Sequence, residues 1–126
     1  MLQVIFMVIY SNTLIRLFDR GPGRVEGITL FPFIILRRDI KDTASAPYVI
    51  NHEKIHIVQQ GELLVIFFII AYFYEYFSAR FRGDSPGEAY RRISFEREAY
   101  THMYDLKYLE RRKFLAYRKM RGDRYV

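Results

Sequence analysis

The 126-residue sequence contains no cysteine. Disulfides are therefore excluded, and any zinc-type site has to be built from histidine and carboxylate side chains. Histidine itself is scarce, with three in the chain. Internal repeats and low-complexity tracts are absent. So are helix-turn-helix, zinc-finger and RNP signatures, which leaves no specific reader of nucleic acid. The longest wholly apolar run, Leu63–Tyr74, is twelve residues, short of the ~20 that a membrane-crossing helix needs. It becomes long enough only by counting back to Ile57 and accepting Gln59, Gln60 and Glu62.

The length predicts one domain over residues 1–126. Its composition is 51% hydrophobic and 17% aromatic, with eleven Tyr and eleven Phe, which is rich for a small soluble protein and leans towards contact with a membrane. Charge is uneven. Residues 1–79 hold seven Lys/Arg and seven Asp/Glu, whereas residues 80–126 hold thirteen against seven, so the whole net charge of +6 lies in the last third. Such an end suits an anionic membrane surface or nucleic acid, or is simply a solvated helix face.

Two of the three histidines stand four apart in His52-Glu53-Lys54-Ile55-His56. On a helix they share one face, where both imidazoles can reach one metal ion. Glu53, next to the first, projects beside them towards a metal-bound water.

Around this motif the chain predicts an α+β, mainly α, organisation. Met1–Tyr10 is apolar except for Gln3, lacks the basic start of a secretory signal, and reads as a buried strand, a short helix or an interfacial anchor. Gly21-Pro22-Gly23 is a turn. Val25–Arg38 reads as a strand region, with Gly27 and Pro32 marking a bulge or an edge; an edge strand there could hold an extended peptide by strand addition. Ser45 and Pro47 suit the start of a long helix carrying the motif, and the apolar pattern favours an unbroken helix from His56 to Ala79 with an extended return through residues 80–95. The alternative is a break at Gly61, with the apolar segment folding back on the site helix. Asn51, Gln59 and Gln60 on this helix either orient ligands or form ordinary helix surface. Residues 78–93 read as a polar connector, and Ser94 as the cap of a second helix running through Ala99, Met103, Leu106 and Leu109.

A catalytic metal site of this kind needs a third protein ligand. The candidates are Glu96, Glu98, His102 and Glu75. Successive helical residues turn by about 100°, so Glu96 and Glu98 point to nearly opposite sides and only one can face the metal. His102, four residues after Glu98, makes that pair a rival.

Phe95-Glu96-Arg97-Glu98-Ala99-Tyr100 resembles the glutamate helix of gluzincin metallopeptidases, particularly the membrane-associated CAAX-protease and heat-shock-peptidase type, and similar stretches occur in small uncharacterised bacterial HExxH proteins. The resemblance covers His52–His56 and Glu96–Ala99 and little else. It implies Zn²⁺ held by His52, His56 and Glu96, with Glu53 as the general base of peptide hydrolysis. Where that family has an aspartate four residues after its zinc glutamate, this chain has Tyr100, which becomes either the group supporting a ligand histidine or an oxyanion donor; Tyr90 and His102 are the other candidates for that donor. The expectation is a zinc metallopeptidase, membrane-associated (peripheral or partly embedded) and otherwise cytoplasmic. Its partners would be a peptide or protein substrate and a membrane surface. The competing expectation is a non-catalytic membrane-associated helical protein with a structural or vestigial metal site.

Overall fold

The computed structural model describes residues 6–17 and 26–121. The turn expected at Gly21-Pro22-Gly23, and the first five residues of the apolar start, lie outside the described part. The architecture is mainly helical with a three-stranded sheet. β1 is Met7–Tyr10, the short helix α1 is Asn12–Arg16, β2 is Gly27–Leu30 and β3 is Phe33–Leu36. The order is β1-β3-β2, with β3 parallel to β1 and antiparallel to β2. The single strand region expected over 25–38 is thus a hairpin, and Pro32 sits in its turn, not at a bulge.

Side chains alternate along β3, so Ile34 and Leu36 point to one face and are fully buried. They pack with Val49 and Ile57 of α2, Ala46–Glu62. These positions recur at helical spacing, and Glu53 and Gln60 lie on the same stripe. Two polar residues therefore face the sheet, and β2 with the turn after it partners both. The Thr29 hydroxyl donates to Glu53 Oε2 at 2.5 Å. Gln60 donates to the Thr29 carbonyl and accepts from the Phe31 N–H. Strand addition at this edge is correspondingly restricted, because Gln60 already holds those two backbone groups.

The structure corrects the long unbroken helix. α2 ends at Glu62 and α3, Ile66–Phe81, leaves it at 113°. Leu64 and Val65 both take positive φ, 56° and 59°, a region costly for a leucine and more so for a β-branched residue. No single described helix is long and apolar enough to cross a membrane. The fold-back lays α3 over the site, with Phe68 packed among Ile93, Phe95 and Tyr117.

The polar connector is also corrected, since it contains α4, Pro86–Arg92, whose N-terminus is capped by Ser85 accepting from the Glu88 N–H. α5, Ser94–His102, then begins after Ile93. Ser94 is its first residue and not its cap; the Glu75 carboxylate of α3 accepts from the Ser94 N–H and hydroxyl, both at 2.8 Å. α5 stops at His102 and does not continue to Leu109. The Asn51 amide collects the carbonyls of His102, Met103 and Asp105 there, satisfying acceptors that a helix end leaves open. Leu109 falls instead in the short α6, Tyr108–Arg111. The Ser45 hydroxyl likewise pairs with Thr43 and makes no cap bond to α2.

Candidate metal centre

α2 and α5 cross so that His52, His56 and Glu96 converge. His52 Nε2, His56 Nε2 and Glu96 Oε1 form a triangle with all three sides 3.2 Å. Ligands about 2.0–2.1 Å from a tetrahedral ion lie roughly 3.3 Å apart, so the spacing fits a shared cation. The group could hold a metal ion. All three residues are buried, at 5–6% exposure, which is an expensive place for a carboxylate and two imidazoles unless each is partnered.

The Glu96 carboxylate is divided between two tasks. Oε1 faces the imidazoles, and Oε2 accepts from the Tyr72 hydroxyl at 2.7 Å. Tyr72 belongs to α3 and reaches the site only because the chain folds back after Glu62. On the other side, His56 Nδ1 bonds Gln59 Oε1 at 2.8 Å, and the Gln59 amide donates to Glu98 Oε1 and the Phe95 carbonyl. Since the Gln59 oxygen can only accept, His56 Nδ1 carries a proton, and Nε2 is the nitrogen left to bind a metal. Among the described residues His52 Nδ1 has no such partner, although it is buried. The ring of Tyr100 packs edge-on against His52 with centroids 4.4 Å apart, and its hydroxyl bonds that of Tyr90 at 3.1 Å. A tyrosine in this place therefore braces the ligand by ring contact.

Glu98, the rival ligand, points away as the helical rotation requires. It is fully buried and bonds Arg112, Tyr108 and Gln59. Arg112 also bridges to Glu62 at 2.8 and 3.0 Å. Burial opposes ionisation of Glu98, yet the Arg112 bonds hold its carboxyl below the usual range. His102 stacks flat on Tyr108, centroids 3.8 Å apart, and Glu75 is committed to Ser94. Neither belongs to the triangle.

Glu53 is buried on the sheet side of the same helix turn. Its Oε2 is held by Thr29, and Oε1 lies against Gly27, where an added Cβ would come within 2.9 Å of it. Its negative charge acts on His56, Tyr72 and Tyr100. Burial raises the pKa of Tyr72, Tyr90 and Tyr100, reinforced by the Glu96 charge, so all three phenols stay protonated donors around neutrality.

Burial works against a charged His56, but the Glu96 carboxylate, the Glu53 charge and the Gln59 bond together outweigh it and push the imidazole up to about 9. Glu96 itself, despite burial, is held well below the ordinary carboxylate range by the two imidazoles. At neutral pH the metal-free centre thus carries a proton on His56 that an incoming cation must displace. Metal affinity is expected to rise about tenfold per pH unit up to about 9 and then level off. Uptake at pH 7 should release about one proton per ion, readable by calorimetry in buffers of different ionisation enthalpy. Affinity independent of pH over this window would contradict the assignment of that proton.

Compared with protein-family models, curated proteins and solved structures, the chain finds no match. The site is read from its own geometry.

Proposed function

We propose that the chain is a zinc-dependent metallopeptidase acting at a membrane surface. The observation that carries this reading is the 3.2 Å triangle of His52, His56 and Glu96 with Glu53 one residue from the first ligand. Two neutral imidazoles and one carboxylate are a donor set suited to zinc and leave a tetrahedral ion one position short. Bound zinc would supply a Lewis acid that polarises the scissile carbonyl and acidifies a water.

The chain's own groups divide the remaining work. Glu53 accepts the proton of the attacking water and delivers it to the leaving amine. Thr29 fixes one carboxylate oxygen of Glu53, which leaves the other as the working base. Tyr72 fixes one oxygen of Glu96 and keeps the other turned to the imidazoles. Tyr100 and Tyr90, protonated and adjacent, are donors for charge developing on the carbonyl oxygen.

The burial of the triangle favours a second reading, a closed structural metal site in a non-catalytic protein. The two separate on one assay. Zinc-loaded protein should cleave a quenched-fluorescence peptide library, lose that activity to a chelator and regain it with zinc. Full zinc occupancy without cleavage of any peptide would favour the structural reading.

A further inference from the structure

The outer face of α3 is apolar. Ile66, Phe67, Ile70, Phe73, Phe77 and Phe81 are 52–90% exposed. At 100° per residue they fall within one stripe about 120° wide, opposite the inward-facing Phe68, Tyr72 and Ala79. A contiguous stripe of this size is unusual on a protein that meets only water.

Directly beside it lies a cleft of about 460 Å³. One wall is α3 itself, through Ala71, Tyr74, Glu75 and Ser78, and the other walls carry Arg82, Arg92, Arg97 and Arg121. Arg97 is held by the carbonyls of Arg91 and Met120, and Arg92 by Asp84. Glu75 is turned to the N-terminus of α5. Four guanidinium groups, one of them paired with Asp84, against the Glu75 carboxylate leave the described part of the cleft net positive, and the exposed Tyr74 of its wall adjoins the stripe.

We infer that this composite surface docks onto a bilayer containing anionic phospholipid. The stripe would enter the acyl boundary and the arginine cleft would receive the net-negative headgroup of an anionic phospholipid. The 16-residue helix is about 24 Å long, too short to cross but suited to lying in the interface. Apolar and cationic elements on one edge are the combination that anionic leaflets recognise. The inference rests on the membrane-surface part of the proposed function and not on the hydrolysis. It also explains the position of the metal centre. Tyr72, on the inner side of the same helix, bonds Glu96, so docking would hold the centre one helix diameter from the lipid.

The test is co-sedimentation with phosphatidylcholine vesicles, with and without phosphatidylglycerol, using the full chain. Wild type should bind the mixed vesicles more tightly, and less so as salt rises. Arg82→Ala with Arg121→Ala should weaken binding to mixed vesicles about thirtyfold and leave phosphatidylcholine binding unchanged. Ile70→Asp with Phe73→Asp should abolish binding to both. Circular dichroism establishes that these surface variants fold, and Glu53→Gln, which tests hydrolysis, should bind vesicles like wild type. Equal wild-type binding to both vesicle types would overturn the anionic preference while keeping membrane association. No binding to either would remove both. A dimer that the Ile70/Phe73 variant dissociates, with no vesicle binding in wild type, would assign the stripe to a second copy.

Discussion

Glu53→Gln is expected to leave zinc binding intact and to lower peptide hydrolysis by about 10²–10⁴, the range that a positioned general base contributes. The substitution preserves shape and removes basicity. Glu53 is not part of the triangle, so the amide should not disturb the ligands. Its buried carboxylate accepts from Thr29, and a glutamine oxygen can accept the same bond. The relevant measurements are zinc content and kcat/KM on one preparation. Unchanged turnover would remove Glu53 from the chemistry, while loss of zinc would place it among the ligands.

Glu98→Ala should do the reverse, unsettling the fold while leaving the three zinc ligands and the zinc stoichiometry in place. Removing one member of a buried ion pair typically costs about 3–5 kcal/mol, a large share of the ~5–15 kcal/mol by which a domain is stable. Here the loss strips a carboxylate from Arg112, Tyr108 and Gln59 together. Glu62 still contacts Arg112, so the lower end of the range is expected. Denaturant titration reads the stability, and zinc stoichiometry of the folded fraction should stay at the wild-type value. Because Gln59 links Glu98 to His56, zinc affinity should fall by the roughly 10–100-fold of a lost outer-shell partner. Unaltered stability with no zinc bound would make Glu98 the ligand.

The parts of this molecule that depend on local periodicity were legible in its residues. Four-residue spacing puts His52 and His56 on one face, and a 100° rotation separates Glu96 from Glu98. The mainly α organisation and the strand region ahead of the motif helix were readable for the same reason. The bend after Glu62 was not. Leu64 and Val65 adopt positive φ, and neither residue type advertises it; only Gly61 hinted at a weak point, and the surrounding apolar run reads equally well as continuous helix. Everything that follows from the bend was hidden with it, including Tyr72 on Glu96 and Glu75 at the start of α5. α4 was missed differently. Ser85 followed three residues later by Glu88 is a capping-box signal, masked by the surrounding Gly83, Pro86 and Gly87. The parts played by Asn51, Gln59 and Gln60 depend on which element packs against each face of α2, and that is a tertiary fact.

The central claim is that two imidazoles of one helix and a carboxylate of another form one cation site. It is tested most directly by titrating chelator-stripped wild type and Glu96→Ala with zinc, followed by zinc-edge X-ray absorption of the wild-type complex. The expected result is one zinc per wild-type chain with two imidazole nitrogens and a carboxylate oxygen in its shell, and affinity lowered by at least about a hundredfold in Glu96→Ala, beyond what an outer-shell loss costs. A wild type that takes up no zinc, or one whose zinc keeps its affinity and its shell without Glu96, would contradict it.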